Sequence, residues 1–447
     1  MFINAINASK DIENTLPPLG LGYLVASLRK EFGSERVECK IVDSDIKQHI
    51  DTFHPDIVGI TAVSQNYNRA LKYAKDAKSY GLPVIMGGIH ISALPSTLSD
   101  DMDVGVIGEG ESTIIDLLNL FREKGKLDKE GLGKLSGIVF RKDRKIVVTE
   151  ERPPIEPLDR IPLPARDLLN IRKSTYMFTS RGCPYRCTFC ASCRFWGKIR
   201  FFSAEYIVNE IKHLLNTYHV KTISFWDDLF VANKARLRQL IDLLRKEGIL
   251  GKIEFTCNVR SNLVTEELVL LLKEMNLKSM GMGLESGSPL TLEYLKGKNI
   301  SIKNHVNAIK ILKKHRIKFH TSFIIGSPQE SREDILQTLS FIKKNRIKRF
   351  NIYVLTPFPG TPVWEYATTK NLVDEKMDWD DLNVNFGVSH HKAIILSEKL
   401  TREEIYELFL RFARLKAKIR IIKALHNPKS LFKLLSKILS GEPLIEK

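Results

Sequence analysis

Ser180-Arg181-Gly182-Cys183-Pro184-Tyr185-Arg186-Cys187-Thr188-Phe189-Cys190 is the stretch on which the reading of this chain turns. It gathers three of the six cysteines at a C-x3-C-x2-C spacing. Four thiolates would close every position of an iron–sulfur cube. Three leave one iron open, and an open metal position is where chemistry takes place. Two plainer explanations compete. Cys193 follows Cys190 with two residues between, so a four-cysteine zinc site is formally possible. Structural zinc, however, usually pairs two C-x2-C knuckles far apart in sequence, and one packed run is unusual. A disulfide framework is less apt still, because a chain of 447 residues needs no covalent staples. Cys193 reads as a bystander or a late-loop residue near substrate, and Cys39 and Cys257 as small buried hydrophobes.

Around this loop, six strand-like runs can be counted: Tyr176–Ser180, Thr222–Trp226, Ile253–Asn258, Ser279–Leu284, Phe319–Ile325 and Phe350–Thr356. Amphipathic helical patterns alternate with them, among them Ala204–Thr217, Leu237–Lys246, Glu266–Met275, Ile302–His315 and Arg332–Lys344. Six β/α units are fewer than the eight of a closed barrel, and residue pattern alone leaves open whether the sheet closes. Barrel-type active sites lie at the strands' C-terminal ends. Polar candidates fall there: Asp227 and Asp228 after the second strand, Arg260 after the third, Glu285 and Ser286 after the fourth, Gly326 and Ser327 after the fifth. The sixth ends in Leu355–Pro362, a candidate substrate-side lining. Structural alternatives stand beside two of these: Asp228 as a helix cap and Arg260 as an internal salt bridge.

Upstream, Phe2–Ile6, Arg36–Val42, Ile57–Ala62, Pro83–Gly87 and Asp103–Ile107 are short apolar runs separated by helical patterns such as Leu21–Arg29 and Tyr67–Ser79. This alternation implies a doubly wound parallel sheet, α/β and Rossmann-like, with ligands outside the strands' carboxyl ends. The segments at those ends are Asn14–Gly20, Thr61–Ser64, Gly87–His90 and Gly108–Glu111. Glycine there permits close backbone approach to a large ligand. Gly108-Glu109-Gly110 is a poor pyrophosphate loop, since its two flanking acids would repel the phosphates. A hairpin follows, Gly137–Arg141 and Lys145–Thr149 with Lys142-Asp143-Arg144 between. Five prolines between Arg152 and Pro164 then preclude helix and mark a stiff linker. The expected divisions are 1–151, a linker at 152–168, a core at 169–365 and a helical basic region at 366–447.

The cysteine spacing, Phe189 before the third cysteine and the opening Gly-Cys-Pro together resemble the radical S-adenosylmethionine (SAM) superfamily. The resemblance implies a partial (β/α)6 barrel, open on one side, with the cluster loop after its first strand. It implies a 4Fe-4S cluster ligated by Cys183, Cys187 and Cys190, whose free iron chelates SAM. Further, Phe189 would contact the cofactor, Asp227 and Asp228 would hold the SAM amino group, and Arg260 would meet its carboxylate. Glu285 and Ser286 would approach the methionine and ribose, and Gly326 would run along the adenine. Likewise Pro17-Pro18-Leu19-Gly20-Leu21-Gly22-Tyr23-Leu24, Gly87-Gly88-Ile89-His90 and Ile107-Gly108-Glu109-Gly110-Glu111 resemble the cobalamin-binding domain that precedes many such cores. That resemblance implies that Ser64, Gly87, Gly88, His90, Gly108 and Glu109 surround the corrin and its nucleotide tail. The D-x-H-x-x-G motif that supplies a cobalt-ligating histidine in many cobalamin domains is missing from this sequence. Bound cobalamin would then have a water-coordinated or uncoordinated lower face; otherwise the fold persists without it.

Composition bounds the remaining choices. The apolar fraction is 43% and net charge +17, which suits a soluble chain with anionic partners such as phosphorylated substrates, lipid head groups or nucleic acid. No apolar run reaches the ~18 residues of a membrane span, and the start reads as a strand, so the expected location is cytoplasmic. From Arg411 to Gly441 there are nine Lys/Arg and no Asp/Glu. Apolar residues recur at helical spacing there, in two stretches parted at Asn427-Pro428. This basic amphipathic pair either docks on the barrel with a solvated face or touches a membrane surface. The implied function is reductive cleavage of SAM to a 5′-deoxyadenosyl radical with cobalamin-dependent methyl transfer to an unactivated carbon. Alternatives are an oxidative cyclase or rearrangement enzyme, an RNA-modifying enzyme, or a non-enzymatic iron–sulfur protein. The expected partners are a small-molecule or lipid substrate and an electron donor such as ferredoxin or flavodoxin, with no DNA.

Overall fold

The computed structural model describes residues 1–6, 16–382 and 386–425. Asn14-Thr15 of the first ligand loop and the second basic helix expected from Asn427 lie outside the described residues. The chain divides into two compact units. The first comprises Met1–Pro184, Cys190–Phe255 and Phe358–Asp380; the second comprises Tyr185–Phe189, Thr256–Pro357 and the chain from Asp381.

The first unit contains a sheet of seven strands: β1 (Phe2–Asn4), β2 (Ile41–Val42), β3 (Val58–Thr61), β4 (Val84–Gly87), β5 (Val104–Val106), β6 (Ile138–Lys142) and β7 (Lys145–Val148). Their order is β2-β1-β3-β4-β5-β6-β7. The first five run parallel, β6 pairs antiparallel with β5, and β7 pairs antiparallel with β6. Val58, Val84 and Val104 are fully buried, the mark of strands covered on both faces. Leu21, Val25 and Leu28 of helix Leu19–Phe32 join Ile114 and Leu117 of helix Glu111–Lys124 over Ile85, Val104 and Phe140 in one core. The sheet order reverses between β1 and β3, and doubly wound sheets bind ligands at such a switch point. The hairpin turn holds two residues, not three. Asp143 and Arg144 have φ of 49° and 62°, the left-handed pair of a tight primed turn, so Lys142 pairs with Lys145 within the ladder. The second expected strand shortens to Ile41–Val42, beyond the exposed Arg36 and Glu38.

The core strands are β8 (Ser174–Met177), β9 (Ser180–Arg181), β10 (Arg200–Phe201), β11 (Thr222–Phe225), β12 (Glu254–Val259), β13 (Leu277–Glu285), β14 (Lys318–Ile325) and β15 (Phe350–Val354). Six form one sheet in the order β15-β14-β13-β12-β11-β8. The order is linear, with β8 and β15 as edges, as an open six-unit barrel requires. β9 and β10 form a separate antiparallel pair beside the cysteine loop. Five of the intervening helices start at a side-chain cap: Ser203, Asn233, Thr265, Ser301 and Ser331 accept from backbone N–H groups, the last two within capping boxes.

In β12, Phe255, Cys257 and Val259 are buried, and Thr256, Asn258 and Arg260 lie on the opposite face by strand alternation. In β13, Met280, Met282 and Leu284 are buried, while Gly281 stands where a Cβ would meet Asn258 Oδ1 at 2.1 Å. Helix Arg402–Leu425 starts at the expected Thr401–Glu404 box and buries Ile405, Leu408 and Phe412. Ile421, Ile422 and Leu425 at its far end are exposed. No helix among the described residues is long and apolar enough to cross a membrane.

Candidate active site

In the first unit the chain entering the cysteine loop is clamped on all sides. Asp227, just past β11, accepts from Thr179 N (2.7 Å), Thr179 Oγ1 (3.0 Å) and Ser180 Oγ (2.7 Å). Burial pushes its carboxyl up, against the Ser180 bond, the Arg236 charge and the Thr179 bonds. Arg236 donates to Thr179 O and Thr179 Oγ1 from the other side. Arg181 then donates to Glu109 Oε1 (2.6 Å) and to Glu111, while Glu109 Oε2 accepts from Arg200 (2.9 Å) and Ile155 N (2.6 Å). Burial opposes the charge on Glu109, but Arg200 and Arg181 outweigh it and hold the carboxyl below its ordinary value. Gly182 follows with φ 90°, and a Cβ there would meet Lys198 O at 2.8 Å. Past the cysteines, Ser192 donates to Asp228, which also accepts from Gly182 N–H.

The same unit holds a cavity of about 440 Å³ at the sheet's switch point. Asn4, Ala5 and Ile6 beyond β1, Thr61–Val63 beyond β3, and Gly88-Ile89 beyond β4 form one wall. Ala191, Ser192, Phe195, Trp196 and Asp228, all from the end of the cysteine loop or past β11, form the other. Ala5, Ala62 and Gly88 are small residues on the first wall. Gly88 has φ 99°, and a Cβ would collide with Ala62 O at 2.6 Å. Gly87 and Gly108 have open space where a Cβ would go, with at most Ile60 O at 3.9 Å beside Gly87. This mostly apolar cleft, with small residues at Ala5, Ala62 and Gly88, suits a broad ring such as a corrin.

Three residues expected at the cofactor, His90, Ser64 and Glu109, are bonded to protein groups. His90 is fully buried, its ring nitrogens 3.1 Å from Ser64 Oγ and 3.1 Å from Thr97 Oγ1. It stacks on Tyr67 (3.7 Å) and meets Trp379 edge-on (4.5 Å). Burial lowers its pKa to about 3. Both ring nitrogens of His90 are thus engaged, one by Ser64 and one by Thr97. Glu109, with both oxygens on protein donors, ties the loop after β5 to the cysteine loop.

In the second unit, the segment carrying Cys187 and the half-buried Phe189 is held by Thr188 N donating to Leu295 O (3.0 Å). Arg260, 5% exposed, lies 4.0 Å from the Tyr185 ring centroid and directs Nη1 to Cys187 Sγ at 3.3 Å. Its Nη2 donates to Lys296 O (2.9 Å). Lys296 Nζ donates to Gly283 O and lies 3.4 Å from Glu285 Oε1. Glu285 ends β13 at a register shift with φ 62°, a left-handed conformation that costs about 1–3 kcal/mol and clusters at functional sites. Ser286 is fully buried, bonded to Thr338 Oγ1 (3.1 Å) and Ser288 N (3.1 Å), so it shapes the loop. Gly326 (φ 83°) gives its N–H to Glu330 Oε2 at 2.6 Å. Among the described residues Ser327 Oγ is buried without a partner, and burial pushes the Glu330 carboxyl up to about 8 against the bonds from Ser327, Gly326 and Thr291. A buried cation against a thiol and an unpartnered hydroxyl after β14 suit an anionic cluster and a polar nucleotide ligand.

Residues 177–342 match the model of the radical SAM superfamily, and residues 9–118 that of the B12 binding domain. An uncharacterised methyltransferase of Pyrococcus horikoshii is 35% identical over 384 residues, covering 82% of each chain. The chain belongs to the radical SAM superfamily, in its cobalamin-binding branch. This radical SAM protein is also 26% identical over 421 residues to the anaerobic magnesium-protoporphyrin IX monomethyl ester cyclase of Rubrivivax gelatinosus, covering 89% of this chain and 74% of that one. Among solved structures, the radical SAM methyltransferase TsrM of Kitasatospora setae matches 83% of this chain and 76% of its own, with a TM-score of 0.69. At 18% identity that likeness concerns the fold.

The cofactors of this radical SAM protein are a 4Fe-4S cluster, SAM and cobalamin. Cys183, Cys187 and Cys190 are the residues that would hold the cluster. The structure adds Arg181, Arg200, Arg236, Lys296, Glu330 and Trp379 to the residues marked in the sequence. Only Glu330 carries a local signal, closing the Gly326–Glu330 turn; the others act through distant partners.

Proposed function

We propose that this protein is a cobalamin-dependent radical SAM methyltransferase acting on an unactivated carbon. One observation supports this reading above the rest: the cleft at the switch point has the cobalamin-type loops on one wall and the segment following the cluster cysteines on the other. A single chamber bordered by both cofactor loops suits a reaction that passes a methyl group from one cofactor to a substrate activated by the other. When bound, the cluster and SAM supply hydrogen abstraction and the corrin supplies the methyl group. The chain's own residues orient and enclose. Asp227 and Arg236 fix the entry to the cysteine loop, Gly88 leaves room for the ring, and Trp196 and Phe195 exclude water. A low-potential electron donor of the ferredoxin or flavodoxin type and a small-molecule or lipid substrate complete the proposal.

The likeness to the Rubrivivax cyclase favours one second reading, radical oxidation or ring closure without methyl transfer. Anaerobic purification with absorption spectroscopy and cofactor extraction tests the shared part. Iron, sulfide and corrin together are expected, and a preparation that takes up neither corrin nor iron retires both readings. Product mass then separates them, since methylation adds one carbon.

A further inference from the structure

Within the second unit, Arg260 is a buried cation for which the described residues offer no carboxylate. Its partners are Cys187 Sγ (3.3 Å), Lys296 O (2.9 Å) and the Tyr185 ring (4.0 Å), and its Nε is buried without an acceptor among the described residues. Neighbouring Lys296 has Glu285 at 3.4 Å, so that charge is already answered. A buried charge left alone is costly. Of the groups touching Arg260, the sulfur is the one that becomes anionic as a cluster ligand. The planar guanidinium is also fixed in place, stacked on Tyr185 and tethered through Nη2, so Nη1 presents a pre-oriented donor to the sulfur.

We propose that Arg260 sets the reduction potential of the cluster by donating an N–H···S bond to Cys187 and placing its charge against that sulfur. The proposal rests on the reading that Cys187 is a cluster ligand, and it adds a role distinct from contact with the SAM carboxylate. One-electron reduction adds one negative charge beside Cys187 Sγ, with no bond made or broken and no proton taken up. The electron comes from an external low-potential donor. A cation and a hydrogen-bond donor at the ligand sulfur stabilise the more negative state, which raises the potential and eases reduction.

The test is a redox titration of the reconstituted full-length protein with dithionite and mediators, followed by electron paramagnetic resonance. It is run without SAM, so that a lost SAM contact has no bearing on the result. Arg260→Gln is expected to make reduction about tenfold less favourable, a shift of about 59 mV to more negative potential for one electron. Arg260→Lys, which keeps the charge but not the planar fork, is expected to shift less in the same direction. An Arg260→Gln protein with full iron content and the wild-type midpoint overturns the proposal. Should Arg260→Gln not retain its cluster, Arg260→Lys decides by the same criterion, a lowered midpoint supporting and an unchanged one refuting. A wild-type protein that takes up no iron–sulfur cluster retires the parent reading, and this proposal with it.

Discussion

Single residues in this chain are tuned by what surrounds them. His90 has Ser64, Thr97, Tyr67 and Trp379 as partners, all neutral, and burial holds its pKa near 3. In the unfolded chain the same ring titrates near 6.5. Below that value the unfolded state binds a proton that the native state refuses, so stability is intact above about pH 6.5 and falls as the pH drops toward 3. At pH 5 the loss from this ring alone is about 2 kcal/mol, at 1.36 kcal/mol per pKa unit. In His90→Gln, the difference in unfolding free energy between pH 7 and pH 5 should shrink by about that amount in urea titrations. An unaltered pH slope would mean that the native ring takes up a proton. Gly88 is tuned by shape: its φ is 99°, and Ala62 O lies only 2.6 Å from where a Cβ would sit. Gly88→Ala should therefore lose roughly 1–3 kcal/mol of stability. Its corrin content after reconstitution should fall with it, and retention of wild-type corrin would count against the cleft as the cobalamin site.

At the level of elements, the cysteine loop is a short tether between fixed posts. Its own signals are local, which is why the spacing of Cys183, Cys187 and Cys190 and the glycines of the β–α loops can be read directly. The posts cannot. Arg181 and Glu109 are 72 residues apart, and nothing in either local pattern marks the pairing. From its loop alone Glu109 reads as a ligand contact; in the fold it is the anchor of the β9–β10 pair, itself too short for any periodicity to reveal. Removing one partner of a buried ion pair leaves the others uncompensated. Glu109→Gln should thus lower unfolding free energy by about 3 kcal/mol in urea titrations, and iron content should fall in parallel. Full iron retention in the variant would show that the loop holds its shape without this tie.

For the whole molecule, the alternation of strands and helices is legible because each strand run is apolar and each helix is amphipathic. The return of Phe358–Asp380 to the first unit is not, since Trp379 closes on His90 only in three dimensions. The same holds for Asp378, which accepts from Asn68. Charge is the other whole-molecule property: +17 overall, with nine cations and no acid between Arg411 and Gly441. Because Ile421, Ile422 and Leu425 stand exposed at the end of helix Arg402–Leu425, we propose peripheral contact with anionic lipid. Full-length protein should co-sediment with anionic liposomes more than a 1–410 truncation, less so at high salt. Equal sedimentation of the two would remove the idea.

Trp196 forms part of the cleft wall, and Arg181 lies 5.1 Å over its ring. An indole in that position is a lamp beside a dye. A corrin is strongly coloured, so its arrival should dim the near-ultraviolet emission of the protein by energy transfer, and Trp196→Phe should blunt that dimming. The chain thus carries its own optical gauge of cofactor loading, readable in a sealed cuvette before any substrate is known.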